Sequence, residues 1–306
     1  MKTTRFKLGS DPELFLREAG GGALRSAIPI IEEGKIAPRK LLGSEYNGVL
    51  HDNVLIEFNT EPAEDVVTFV TNIKAVLCRI EEIVAEEGVE LHLQASADFP
   101  LSELDSEESR VFGCDPDFDA YILEKNVIDP DAAESNFRSA GGHLHIGGHE
   151  EDEAICELLD EPLGKLRVVK AMDIFVGIVS VFLDRDPTAP ARRGLYGKAG
   201  AHRPKTYGVE YRACSAWWLA SPRHTELVHA LCETALSQCK DGKVFEALME
   251  SVGGEDRLQE LINDSLRNEC REVYEAHLKP LLSEETQAMV EEIDIDGIDF
   301  RLSWGL

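Results

Sequence analysis

The chain has 306 residues, 43% of them apolar and 7% aromatic, which is enough for a sizeable core and too apolar for intrinsic disorder. Acidic residues outnumber basic ones 58 to 31, giving a formal net charge of −27 and excluding nucleic-acid binding through phosphates as a main task. A high-salt cytoplasm, where ions screen crowded carboxylates, is one setting that tolerates such a balance.

In chain order, residues 4–8 and 14–17 read as strands interrupted at Ser10-Asp11-Pro12. Gly20-Gly21-Gly22 is a hairpin turn, and residues 23–28 return as a strand. Residues 54–59 alternate as a strand should. Pro62 then opens a long helix with Val66, Val70, Ile73, Leu77, Ile80 and Val84 on one face. Residues 89–95 form another strand, and residues 96–140 are irregular and polar. A Gly-bounded strand covers 142–147, and helices cover 151–160 and 163–183. Residues 184–205 form a basic Gly/Pro-rich loop, 207–213 a strand, 222–292 a helical region and 298–304 a closing strand. Strands and helices mix without strict alternation, which predicts an α+β fold around a largely antiparallel sheet. Residues 1–221 are expected to form the catalytic core, with 222–306 a helical part of the same domain.

The longest apolar stretch, 171–183, contains Asp173 and is too short to span a bilayer. The opening MKTTRFKLGS has no apolar signal core, so a cytoplasmic location is expected. The seven cysteines are scattered singly, without a C-x-x-C pair, as reduced thiols are.

Four short segments share one geometry: Asp11-Pro-Glu13, Glu57-Phe-Asn59, His143-Leu-His145 and Glu210-Tyr-Arg212. In a strand, side chains at i and i+2 point to one face, roughly 6.5–7 Å apart. Each pair alone is compatible with a solvated strand face. Together they predict one sheet face of carboxylates, imidazoles and a guanidinium, which divalent cations would neutralise. The glycines flanking the His-x-His strand let a ligand or another backbone approach. Arg192, Arg193, Lys198, Arg203 and Lys205 cluster within residues 192–205, a reasonable clamp for a triphosphate. Carboxylate–metal sites facing arginines suit phosphoryl transfer. No G-x-x-x-x-G-K-[ST] motif occurs, so a P-loop is excluded.

Gly9-Ser-Asp-Pro-Glu-Leu-Phe15, Gly113-Cys-Asp-Pro-Asp117, Gly141-Gly-His-Leu-His-Ile-Gly147, Tyr196-Gly-Lys-Ala-Gly200, Arg203-Pro-Lys and Tyr207-Gly-Val-Glu-Tyr-Arg212 resemble the phage-type COOH·NH₂ ligase family. That family belongs to the glutamine synthetase and glutamate–cysteine ligase superfamily. The resemblance runs from about residue 7 to 220, and the helical C-terminal third carries no motif of it. It implies a glutamine-synthetase-like curved sheet with helices on its outer face. It also implies ATP, two or more Mg²⁺ ions (or Mn²⁺), and an amide-forming reaction through an acyl phosphate. The substrates would be a small-molecule or peptide carboxylate and an amine, and an oligomer is compatible with it. By this resemblance Asp11, Glu13, Glu57, His143 and Glu210 match metal ligands, with Asp11 shorter than the Glu many relatives carry. Arg212 and Arg203 match phosphate-binding arginines. Arg193, Lys198, Lys205 and His145 are further candidates for the nucleotide, and Asp52 or Glu61 for the base that deprotonates the amine. Asn53 and the 113–117 turn are candidates for the acceptor pocket, although Asp115 and Asp117 would equally cap residues 118–123.

Three other readings compete. A metal-dependent amidohydrolase also uses His-x-His on a strand, but His51, His92, His149 and His202 are scattered, and the arginine loop stays unexplained. A phosphotransferase of the guanidino-kinase type would stop at a phosphorylated product. A non-catalytic binding protein would be expected to have lost at least one carboxylate of the set.

Overall fold

The computed structural model describes residues 4–110, 117–126, 135–293 and 298–306. Its strands are β1 Phe6–Glu18, β2 Leu24–Arg25, β3 Arg39–Lys40, β4 Gly48–Asp52, β5 Leu55–Asn59, β6 Val89–His92, β7 Ser96–Asp98, β8 Phe118–Asp119, β9 Phe137–Ser139, β10 Gly142–Gly148, β11 Ala201–Lys205 and β12 Gly208–Tyr211. Ten of them form one open antiparallel sheet in the order β3-β4-β5-β1-β10-β12-β11-β8, with β2 and β6 pairing the far end of β1. The fold is therefore α+β. Strands β7 and β9 make a separate two-stranded ladder.

The helices are α1 Val66–Ala85, α2 Glu153–Asp160, α3 Pro162–Met172, α4 Ile178–Leu183, α5 Ala189–Leu195, α6 Pro222–Cys239, α7 Gly242–Ser251, α8 Gly254–Asn263, α9 Arg267–Val273, α10 Glu284–Ile293 and α11 Phe300–Trp304. A π turn at Asp173–Gly177 joins α3 to α4. Asp65 caps α1 by accepting from the Thr68 N–H, and Phe69, Ile73, Leu77, Ile80 and Val84 bury its apolar face. These residues join Leu8, Leu14, Ile56, Phe58, Leu144, Ile146, Val209 and Tyr211 in one continuous apolar cluster. The alternate positions on the same strands are the polar pairs of the sequence. The pleat thus separates a helix-packed back from a polar front. No helix among the described residues is long and apolar enough to cross a membrane.

Four sequence expectations change. Strand β1 runs unbroken through Ser10-Asp11-Pro12, because β10 pairs it across that point, with Asp11 opposite His143. The 184–205 segment is not all loop. Pro190 in its first turn starts α5, and Ala201–Lys205 pairs with β12 as strand β11. Residues 298–304 do not close the sheet. Asp299 accepts from the Leu302 N–H, and a short helix ending at Gly305 results. Strand β4, absent from the sequence reading, pairs with β5 and carries Asp52.

Candidate functional site

The front of the sheet gathers side chains from six strands, β1, β4, β5, β10, β11 and β12. Register places Asp11 opposite His143, Glu13 opposite Glu57, His145 opposite Glu210, and Arg203 opposite Glu210. Asp11, Glu57, Asn59, His143, Arg203 and Arg212 line one cavity of about 200 Å³, together with Lys35, Pro38 and Leu50 from the neighbouring segments.

Two groups of ligand atoms lie close enough to share a cation. One is Asp11, His145 and Glu210; the other is Glu13, Asp52 and Glu57, with ligand atoms within 4.8 Å of one another in each group. In the first group, His145 Nε2 lies 2.9 Å from Asp11 Oδ1, and His143 Nδ1 lies 3.4 Å from the same oxygen. Burial pushes the Asp11 carboxyl up, but His145 and His143 outweigh it and hold the group well below the usual carboxylate range. His145 responds in kind: burial lowers it, and Asp11 raises it further than that, to above the ordinary imidazole value. Tyr207 OH contacts the other ring nitrogen of His145. His143 is buried, and its Nε2 has no hydrogen-bond partner among the described residues.

Glu210 is fully buried and ringed by cations. Arg212 Nη1 touches it, Lys205 Nζ lies 2.6 Å away and Arg203 Nη1 lies 3.6 Å away. Burial and Asp11 push the Glu210 carboxyl up, yet Arg212, His143 and His145 bring it down to about 2. Arg212 is itself 1% exposed. It donates to Tyr196 OH at 2.7 Å and pairs with Asp117 at 3.4 Å.

The second group is almost purely anionic. Glu13 accepts the Gly141 N–H at 2.6 Å, and Asp52 pairs with Lys35 Nζ at 2.7 Å. Glu57, 8% exposed, accepts no hydrogen bond and makes no ion pair among the described residues. Burial first, then Asp11, Asp52 and Glu13, push its carboxyl well above the usual range.

Several expected residues lie elsewhere. Arg193 is expected at a phosphate clamp, but α5 turns it to the C-terminal helices, where its Nη1 donates to Ser265 Oγ at 3.1 Å. Arg192 is buried and donates to the carbonyls of Ala140, Ala213 and Arg212, so it fastens backbone together. Lys198 is exposed and is not among the residues lining the cavity. Asn53 donates to the carbonyls of Glu108 and Ser109 and accepts from Arg138, away from the cavity. Glu61 is exposed and accepts from Ser44 Oγ at 3.3 Å. Residues 113–116, including Asp115, lie outside the described residues. Asp117 is described, and pairs with Arg212 and Asn126 rather than capping a helix, since Phe118–Asp119 is a strand. The sequence reading missed Lys35, Tyr196 and Tyr207. Tyr207 directly precedes β12 and Tyr196 lies twelve residues before it; both head segments that carry the resemblance but fall outside the i, i+2 pairs, and Lys35 sits on a turn whose target is a distant strand.

Residues 132–250 match the family model described as phage phiEco32-like COOH.NH2 ligase-type 2. The matched segment runs from before β9 into α7 and holds His143, His145, Arg203, Lys205, Glu210 and Arg212. Asp11, Glu13, Asp52 and Glu57 precede it and join it through the β1–β10 and β1–β5 ladders. Among curated proteins, none matches the chain.

Proposed function

We propose that this chain, whose residues 132–250 match the model of a phage-type COOH.NH2 ligase family, is an ATP-dependent ligase that joins a small-molecule or peptide carboxylate to an amine through an acyl phosphate. The observation that carries the reading is the Glu57 carboxylate, buried and without a hydrogen bond among the described residues, grouped with Glu13 and Asp52 and lining one small cavity with Arg203 and Arg212. A buried carboxylate without a hydrogen bond is costly unless a cation neutralises it.

The donor set fits Mg²⁺ or Mn²⁺: Asp11, His145 and Glu210 in one group and the carboxylates of Glu13, Asp52 and Glu57 in the other, with Nε2 of buried His143, which has no hydrogen-bond partner among the described residues, as a further nitrogen. These residues would hold two or more ions, which when bound draw negative charge off the phosphate oxygens.

The remaining chemistry belongs to the chain's own side chains. Arg203 and Arg212 stand where they can neutralise the γ-phosphate as the substrate carboxylate oxygen bonds to phosphorus and ADP departs. Lys205, on β11, would hold another phosphate. The amine nitrogen then attacks the acyl carbon, phosphate leaves, and the surplus proton passes to a base. Asp52, paired with Lys35 Nζ at 2.7 Å, could take that proton only when it is not holding a cation with Glu13 and Glu57. An ATP-consuming reaction of this kind suits a cytoplasmic protein, and the acidic surface suits a high-salt one.

The test is an ADP-release screen of carboxylate and amine pairs with Mg²⁺, read by mass spectrometry. A product weighing both substrates less one water, formed with stoichiometric ADP, is expected; product without nucleotide consumption would overturn the reading in favour of a hydrolase run in reverse. A phosphorylated product that ignores added amine would favour a phosphotransferase. Glu210→Gln should abolish ADP release, and undiminished turnover would remove Glu210 from the site.

A further inference from the structure

Lys35 belongs to no motif, yet its Nζ lies 2.7 Å from Asp52 Oδ2, and Lys35 lines the same cavity as Glu57. The segment that carries it is built as an arm on a fixed base. Glu33 and Arg39 pair at 2.8 Å, and the Glu33 carbonyl accepts the His51 N–H from β4. Between those anchors the chain makes a turn, with the Ala37 N–H donating to the Gly34 carbonyl. Ile36 at its tip is fully exposed, and the Lys35 side chain is 37% exposed. Asp52, by contrast, is buried on the sheet. One partner is therefore rigid, and the other is a flexible four-carbon stem on an exposed turn, so the pair can open without disturbing the core.

We propose that Lys35 competes with a divalent cation for Asp52, acting as a tethered counter-ion that leaves the Glu13–Asp52–Glu57 group when a cation binds there. This rests on the reading of that group as a cation seat. The geometry requires the exchange: three carboxylates offer oxygens within 4.8 Å of one another, and an ammonium 2.7 Å from one of them lies where a cation's own field is strongest. A divalent ion held by this group would repel that ammonium and take its acceptor. Released, Lys35 would remain at the cavity wall it already lines, facing Asn59, Arg203 and Arg212. Cation binding would thereby move a positive charge from the protein's own carboxylate to the space an anionic substrate enters. Cation first, carboxylate substrate second, is the order of binding this arrangement favours.

The experiment uses the full chain and Mn²⁺ as probe, with free Mn²⁺ followed by electron paramagnetic resonance. Wild type, Lys35→Met, Lys40→Met and Glu57→Gln are compared. Lys35→Met should bind Mn²⁺ about fivefold more tightly than wild type, the scale of one partly exposed ion pair. Lys40→Met removes the same charge from the neighbouring strand, where Lys40 is bonded to the Glu45 carbonyl, and should change little. In wild type, Mn²⁺ should raise the rate at which acetic anhydride labels Lys35 severalfold, read by peptide mass spectrometry. If Glu57→Gln weakens Mn²⁺ binding while Lys35→Met leaves it unchanged, or if Lys35 labelling ignores Mn²⁺, the competition is wrong and the cation seat stands. If Glu57→Gln leaves Mn²⁺ binding untouched, the seat and the competition both fall.

Discussion

Glu57 stands directly opposite Glu13 on the β1–β5 ladder, two buried carboxylates facing one another from adjacent strands. Like charges directly opposite on a sheet are destabilising, and burial deepens the cost. Nothing in the back of the sheet requires this, because the alternate residues Ile56 and Phe58 already fill the core there. The destabilised pair is a property of the front face alone, where a site trades stability for chemistry.

Glu57→Gln is therefore expected to stabilise the fold in the presence of a chelator. Burial and its acidic neighbours raise the Glu57 carboxyl above its unfolded value. Such a group contributes stability fully below the unfolded pKa and loses it as pH rises through the folded one. The neutral amide escapes that loss, so the variant's melting temperature near pH 8 should exceed wild type by on the order of 2 °C or more. Thermal unfolding across pH 5–9 measures it, and a lower melting temperature at pH 8 would refute it.

Arg212 presents the opposite case. It is enclosed with Glu210 at 1% and 0% side-chain exposure, so its removal leaves a buried charge with less compensation. Arg212→Ala should cost roughly 3–5 kcal/mol in urea unfolding. Arg212→Lys keeps the charge but cannot serve Glu210, Asp117 and Tyr196 together, and should fall between. Equal stability of the alanine and lysine variants would contradict this account. The depressed Glu210 carboxyl adds a pH signature: its stabilisation is present above the unfolded value near 4.5 and is lost as pH falls towards 2.

Behind the same strand, Asp173 in the π turn accepts from Tyr211 OH at 2.7 Å, Tyr121 OH at 2.9 Å and the Gly200 N–H at 2.7 Å. It ties β12, the turn after β8 and the start of β11 together, directly beneath Glu210 and Arg212. Burial pushes its carboxyl up to about 7 against these donors. The associated stability is complete below the unfolded value of 3.8 and disappears as pH rises through about 7. Wild type should lose stability between about pH 4 and 7, and Asp173→Asn should flatten that part of the curve while costing about 1–3 kcal/mol at pH 4 through a mismatched donor. A curve unchanged in slope would sink the assignment.

How much of this was readable in the sequence depends on how local each signal is. The four i, i+2 pairs were legible because strand period is fixed by neighbouring residues. Their convergence needed register, which the alternating Leu144, Ile146, Val209 and Tyr211 impose by burying one face. Arg193 was misplaced because a basic, glycine-rich stretch reads as loop. Thr188-Ala-Pro190 was the overlooked helix start, and it turns the side chain towards Ser265. The terminal segment 298–304 alternates like a strand, but Asp299 offers a cap that wins over so short a run. Lys35 gave no local signal at all, since its partner lies across a turn and a strand.

Gly141 and Gly142 are the positions where the site's tolerance is lowest. A Cβ on Gly142 would lie 2.2 Å from the Ser215 carbonyl oxygen, a backbone atom that cannot step aside. On Gly141 it would lie 2.2 Å from Nε2 of the His143 ring, a side chain that can rotate. The two alanine substitutions should thus separate fold from function. Gly142→Ala is expected to destabilise by about 2 kcal/mol or more, as overpacking does. Gly141→Ala should keep most of the stability but displace the imidazole from Asp11 and Arg212, and so weaken Mn²⁺ binding. Urea unfolding and Mn²⁺ titration of both variants decide the matter. If Gly141→Ala binds Mn²⁺ as wild type does, then His143 is not a ligand, and the donor set loses its only fully enclosed imidazole among the described residues.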